Sequence, residues 1–240
     1  MKGIKIMEKN ILSETVNDMI LSGKKVDTIK DKDEIKRVFA NEGIPFFDKV
    51  IDFQVSFGGI WYKIGKKFYE VFQMDMFYFN TFKEKYELRY FRKENGKYFF
   101  QCMEYHYAGD FGPCIDEDGK IYHFCMGSFF ISADNIEEFL EDEAIKYYML
   151  NKHPNWLTRG AEKSEIDEFK KTNALNKIKR ESFSDKYFEW WCNTEETIFI
   201  RIDLVSKHNR AEVYCKDQKV LEQLYKSNMP ASLFPSLYYN

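Results

Sequence analysis

The residue types best able to do chemistry crowd into one stretch. Cys102, His106, Cys114, His123 and Cys125 fall within two dozen residues and offer the thiolate and imidazole donors that zinc takes. Strand alternation sets Cys102 with His106 on one face of their strand, and His123 with Cys125 on one face of another. In an antiparallel meander a third strand lies between those two. The backbones then stand about 9–10 Å apart, which is awkward for a compact tetrahedron. Buried thiols and a half-buried sheet histidine are therefore expected, with no metal and no cofactor. Asp116-Glu117-Asp118-Gly119 invites a calcium reading. An EF-hand, however, places its glycine five residues after the first acid, and here it comes three after. Asp-Gly is a turn signature, so a solvated hairpin turn is expected.

Other chemistries find no local support. Neither G-x-G-x-x-G nor G-x-x-x-x-G-K-[ST] occurs, which removes two phosphate cradles. Gly58-Gly59 reads as a helix stop. No G-x-S-x-G elbow accompanies the four histidines, so no triad is defined. The E-x-K element of a metal-dependent nuclease appears as Glu34-Ile35-Lys36 and Glu168-Phe169-Lys170. Both fall on predicted helices, not on the strand that chemistry needs. A glycosidase carboxylate pair is not located by any spacing. No catalytic residue is expected. The competing class is a zinc- or carboxylate-dependent hydrolase using residues 102–125, and a third is a peptide- or small-ligand-binding domain suited to aromatic strands.

Charge is unevenly placed. Residues 101–150 hold eleven acids against Lys120 and Lys146, a net −9, while the rest of the chain carries +6. A solvated helix face accounts for Glu137–Glu143. The functional reading is an acidic surface of Asp116, Glu117, Asp118, Glu137, Glu138, Glu141 and Asp142 that steers and holds a basic protein partner. Surface aromatics beside it would serve as anchors.

The 240 residues are 44% hydrophobic and 31% charged, which excludes a disordered tail or a membrane protein. With 23 Phe, 16 Tyr and 4 Trp, aromatics reach 18%, favouring strands. A formal charge of −3 argues against wholesale binding to nucleic acid. The start, Met1 to Lys9, has no apolar core of a signal peptide. The longest uncharged run, between Lys120 and Asp134, is too short to span a bilayer. Five cysteines without a C-x-x-C fit reduced thiols in a cytoplasm.

These residues must be positioned by a mixed set of elements. Ile11, Leu12, Thr15, Val16, Met19 and Ile20 suggest a helical stripe ending near Gly23. A helix over 33–42 is capped by Asp31 or Asp33 and left through Gly43. Pro45 opens the next helix, with Phe46, Val50, Phe53 and Phe57 on its buried stripe, and Gly58-Gly59 ends it. Period two then predicts strands at Ile60–Ile64 and Phe68–Met76 around Gly65-Lys66-Lys67. Strands Tyr86–Lys93 and Lys97–Tyr107 flank Asn95-Gly96. Strands Phe111–Ile115 and Lys120–Met126 flank the acidic turn. A meander of about five or six antiparallel strands leads to a helix at 134–149, capped by Asp134 with Glu137 in a capping box. Beyond it, a polar helix at 164–180 capped by Ser164 precedes a strand pair, Thr197–Val205 and Arg210–Lys216, across Ser206–Asn209. Asp217 then caps a helix with Val220, Leu221, Leu224 and Tyr225, ended by Asn228–Pro230. The fold class is α+β: a curved antiparallel meander with helices packed against it, plus a C-terminal α/β extension. The divisions are 1–29, an N-terminal helical segment; 30–150, the α+β domain; and 151–240, the extension.

One order of features resembles a family. A capped helix leads to Gly43-Ile44-Pro45, and a second ends at Phe57-Gly58-Gly59. Strands follow, then Asp118-Gly119-Lys120-Ile121-Tyr122, then Ile131-Ser132-Ala133-Asp134-Asn135-Ile136-Glu137-Glu138-Phe139-Leu140. Over about residues 30–150 this resembles the SUKH superfamily, which includes the yeast cell-wall-synthesis regulator and many bacterial immunity proteins. The resemblance implies helices on a strongly curved antiparallel sheet. It also implies a non-catalytic role, binding and neutralising a cognate polymorphic toxin, such as a basic nuclease, by occlusion in the cytoplasm. Pro45, Gly58, Gly59, Asp118 and Gly119 would carry over as scaffold. The expected partner is a protein, with no nucleic acid and no membrane.

Overall fold

Asp31 halts an extended segment and caps the helix behind it, its Oδ1 accepting from the Glu34 N–H at 2.9 Å. In the computed structural model, which describes residues 14–65, 70–105, 112–125, 128–153, 157–178, 186–205, 210–222 and 224, the first helices are α1 (Glu14–Leu21), α2 (Lys32–Asn41) and α3 (Asp48–Phe57). Gly43, at φ +68°, releases α2 as expected, and the Ile44 N–H returns to the Phe39 carbonyl. Pro45 does not open α3. Ile44 is pulled into the core, Pro45 stays exposed, and Phe47 takes the N-cap in an extended conformation. Phe47 packs at a tilt against Tyr98 and Phe100, so its extended neighbour Phe46 points outward, 53% exposed, and not into the core.

The strands follow as β1 (Lys24–Lys25), β2 (Ile60–Ile64), β3 (Glu70–Met74), β4 (Phe77–Asn80), β5 (Lys85–Leu88), β6 (Phe91–Glu94), β7 (Lys97–Gln101), β8 (Met103–Tyr105), β9 (Pro113–Asp116), β10 (Ile121–Cys125) and β11 (Ser128–Ala133). They do not form one meander. One sheet has the order β1-β2-β3-β8, another β11-β10-β9-β7-β6, and β4-β5 stand as a separate hairpin. The chain passes from the second sheet to the first at Cys102, whose N–H bonds Pro113 and whose carbonyl accepts from Asp75. The predicted strand Lys97–Tyr107 is thus split there. The strand predicted over 68–76 is cut short because the Asp75 carboxylate accepts the Phe77 N–H and turns the chain out into the hairpin. Asn95 and Gly96, at φ +51° and +84°, make the tight turn between β6 and β7.

After β11, a strand that alternation did not reveal, comes α4 (Ile136–Lys152). Its cap lies one residue later than predicted. Asn135, not Asp134, accepts the Glu138 N–H at 2.8 Å, and the Glu138 carboxylate reaches back to the Asp134 N–H, replacing Glu137 in that role. The C-terminal part comprises β12 (Leu157–Glu162), α5 (Lys163–Thr172), β13 (Asn176–Lys177), β14 (Phe188–Cys192), β15 (Ile198–Asp203), β16 (Arg210–Cys215) and α6 (Gln218–Glu222). These strands form a sheet in the order β12-β16-β15-β14-β13. Helix α5 starts after Glu162 and not at a Ser164 cap. It ends well before 180, because Ala174 adopts φ +51° and the Leu175 N–H closes on Lys170. Asp217 does cap α6, accepting the Lys219 N–H at 2.8 Å.

The fold class is therefore α+β with antiparallel sheets. One core gathers α1 to α4 with the first two sheets, and takes in Val16, Met19 and Ile29 from the N-terminal segment. The C-terminal sheet has its own core with α5 and α6. A third cluster of Met149, Trp190, Phe199 and Tyr214 joins α4 to that sheet. Several expectations lie outside the described residues: Ile11, Leu12, Lys66, Lys67, Phe68, His106, Tyr107, Phe111, Met126, the turn 206–209, Tyr225 and the stop at 228–230.

Candidate functional site

The fold takes two of the seven acids out of the surface predicted from sequence. Asp116 is fully buried: its Oδ1 accepts from the Asp118 and Lys120 N–H groups, and its Oδ2 lies 2.7 Å from Lys97 Nζ. The same ammonium holds Asp118, which is exposed and titrates below the usual carboxylate range as a result. The Glu117 carboxylate accepts the Tyr98 N–H. Asp142 is buried within α4, as is Glu143. Asp116 and Asp142 are thus no part of a surface. Glu117 and the exposed Asp118 remain at the turn, and Glu137, Glu138 and Glu141 remain half-buried along the first turns of α4.

The thiols and imidazole are likewise absorbed. Cys102 and Cys114 are buried, their Sγ atoms directed at the Pro113 and Gly112 carbonyls. Burial pushes both thiols up, Cys114 to about 12, so neither is a ready nucleophile. Strand β9 separates β7 from β10, as expected. The half-buried His123 ring lies against Phe139 of α4. Loss of water, then the nearby Lys146 and Arg201, push it down to about 4. Among the described residues no group of three or more His, Cys, Asp and Glu is arranged to hold a metal ion. Glu34-Ile35-Lys36 and Glu168-Phe169-Lys170 lie on α2 and α5.

Two of the scaffold residues, Gly58 and Gly59, adjoin a polar centre that the sequence reading missed. Gln54, wholly buried on α3, donates through Nε2 to Asp75 Oδ1 at 2.9 Å and to the Ile29 carbonyl at 3.0 Å. Its Oε1 accepts the Met76 N–H, and Asp75 Oδ1 also accepts from Thr28 Oγ1 and the Phe77 N–H. Burial pushes the Asp75 carboxyl up, against those donors. Gly58 and Gly59 permit this closeness. A Cβ on Gly58 would meet the Gln54 side chain at 2.4 Å, and one on Gly59, at φ +75°, would meet the Val26 carbonyl at 2.2 Å. The available signal was a glutamine inside an apolar helical stripe. Gly119, at φ +88°, completes the acidic turn.

A second charged centre joins α4 to the C-terminal sheet. Asp142 Oδ1 accepts from Trp190 Nε1 at 2.7 Å, and Oδ2 takes both Nε and Nη2 of Arg201. The Arg201 guanidinium lies 3.5 Å from the Phe188 ring centroid. Glu143 and Lys146 pair at 2.7 Å beside it. Burial works to raise the Asp142 carboxyl, but Arg201 and Lys146 outweigh it and hold it low. Each charge is met by an opposite one, so the centre reads as a bond between halves.

The hairpin β4–β5 is built to a different logic. Its base, Phe77 and Leu88, is buried; Phe79 is 51% exposed, and Phe82 at the tip is 99% exposed. The tip is braced. Asn80 Oδ1 accepts the Phe82 and Lys83 N–H groups, while Glu87 accepts from Tyr78 Oη, Asn80 Nδ2 and Lys83 Nζ, each at 2.9 Å. Those donors, Lys83 first, hold Glu87 down at about 2. An aromatic side chain is thus presented to solvent on a stiff support, the arrangement of an interface anchor. Among the described residues no helix is long and apolar enough to cross a membrane. No protein-family model matches the chain, and no curated protein matches it at a significant level.

Proposed function

We propose that the chain is a non-catalytic protein-binding module, an immunity-type protein that occludes a cognate toxin domain in the cytoplasm. The observation that carries this reading is the braced hairpin holding Phe82 fully in water beside Phe79. The Phe82 ring gives nothing to folding, and it strengthens binding once a partner covers it. The SUKH-like order of elements across 30–150 supports the immunity role. Glu137 and Glu141 on α4 supply an acidic flank for a basic partner.

The test is coexpression with the C-terminal toxin domain of a secreted protein encoded beside this gene. Growth should be rescued and a complex recovered. Phe79→Ala with Phe82→Ala should weaken the complex tenfold or more at unchanged melting temperature, and Glu137→Lys with Glu141→Lys should slow association with a basic toxin. A chain that neither binds nor protects overturns the proposal.

A further inference from the structure

One face of the β4–β5 hairpin is buried at its base, where Phe77 stands opposite Leu88. Two residues further out on that face, Phe79 stands opposite the half-buried Tyr86. The two rings meet edge to face, with centroids 5.2 Å apart and planes at 70°. Three acids bear on this ring pair. Loss of water, then Asp27, Asp75 and Glu34, push the Tyr86 hydroxyl up. Asp27 lies in the extended segment before α2, Glu34 in the first turn of α2, and Asp75 at the foot of the hairpin. Helix α2 packs against β5, which brings the first turn toward Tyr86. None of the three acids is ion-paired among the described residues, whereas Glu87, Asp116, Asp134 and Asp142 each hold a cation. Asp75 is only 2% exposed, and its three donors, Thr28 Oγ1, Gln54 Nε2 and the Phe77 N–H, all go to Oδ1. Its Oδ2 takes no hydrogen bond among the described residues. A buried carboxylate oxygen left idle costs stability unless a donor reaches it. Lys30 and Arg89 are the cations that bear on Asp75, and neither pairs with it.

We propose that Phe79, Tyr86 and the carboxylates of Asp27, Glu34 and Asp75 seat one arginine side chain of a protein partner. The proposal deepens the protein-binding reading and rests on it for the source of the arginine. A guanidinium is planar and keeps its charge, so it can lie on an aromatic face while its edge donates to carboxylates. The molecule already makes that arrangement once. Arg201 lies 3.5 Å from the Phe188 ring centroid while Asp142 takes its Nε and Nη2. At the hairpin, rings and carboxylates come together in the same way, but with no cation of this chain paired to them among the described residues. Two rings with acids from separate stretches of chain suit a delocalised cation better than a compact, strongly hydrated ammonium. The seat shares its hairpin with Phe82, so one partner can cover both.

The test titrates acetyl-arginine amide into the full chain and follows the Tyr86 ring and Asp75 carboxyl resonances by NMR. Acetyl-citrulline amide serves as the uncharged isostere. The arginine compound should shift both resonances and saturate, and the citrulline compound should do neither. Asp75→Asn keeps an acceptor for Thr28, Gln54 and the Phe77 N–H but puts an amide nitrogen in place of Oδ2. It should weaken arginine binding about tenfold without lowering the melting temperature, which a purely structural Asp75 would not do. Asp27→Asn with Glu34→Gln should weaken binding as well. Equal responses to the two compounds, or an Asp75→Asn protein that binds like the parent, overturn the seat. A chain that protects against the toxin but does not discriminate the compounds loses the seat and keeps the protein-binding reading. One that binds the arginine compound but fails to protect keeps the seat and loses the toxin as the source of its arginine.

Discussion

Arg201 grips Asp142 through two nitrogens, Nε at 3.1 Å and Nη2 at 2.9 Å, across 59 positions of chain. The contact ties α4 to β15 and so holds the two cores together, with Trp190 Nε1 taking the other carboxylate oxygen. Truncating one member of such a buried pair strands the other charge and costs about 3–5 kcal/mol. Arg201→Ala and Asp142→Ala should each lose about that much in urea unfolding. Asp142→Leu combined with Arg201→Met should be less damaging than either truncation, because no uncompensated charge remains. Additive losses in the double variant would show that the pair is not coupled.

His123 sets an acid limit on stability. Its folded pKa, about 4, lies below the ordinary 6.5. The folded state therefore prefers the neutral ring, so this contribution is complete above pH 6.5 and is lost as pH falls toward 4. The slope attributable to one such group is at most about 1.4 kcal/mol per pH unit. Thermal melts of wild type and His123→Gln at intervals from pH 7.5 to 4.5 should show the wild-type advantage shrinking on the acid side. Parallel pH profiles would remove His123 as the cause. Lys146 and Arg201, which push the imidazole down, and Asp142 and Glu212, which oppose them, are the charges that face it.

The elements that local chemistry dictates could be read from the chain. Asp31, Gly43, Gly58-Gly59, Asn95-Gly96 and the Asp-Gly turn each fix a backbone conformation within a few residues, and each does so here. What could not be read depends on partners distant in sequence. Asp142 sits in a run of acids that suggests a solvated face, yet helical spacing places it with Phe139 and Met149 on the buried side. Its cation comes from β15. Asp116 likewise resembled an exposed turn acid until Lys97, nineteen residues earlier, closed over it. Strand β11 escaped because an unbroken apolar run carries no alternation. Phe82 was legible only as one aromatic among many, since its exposure follows from Asp75 turning the hairpin away from the core.

Asp75 offers the opposite titration from His123. Burial raises its carboxyl above the ordinary 3.8, so the folded state binds this proton more tightly than the unfolded chain does. Its contribution is fully present below the unfolded pKa and is lost as pH rises through the folded one. Asp75→Asn removes the titration while leaving an Oδ1 that can accept from Thr28, Gln54 and the Phe77 N–H, all of which use that one atom. Relative to wild type, the asparagine variant should therefore gain stability between acid and neutral pH. Asp75→Ala strands three buried or half-buried donors and should cost about 3 kcal/mol or more at every pH. Urea titrations at pH 4 and pH 7 separate the two variants, and a wild-type-minus-asparagine difference that does not change with pH would mean that the Asp75 carboxyl is not raised.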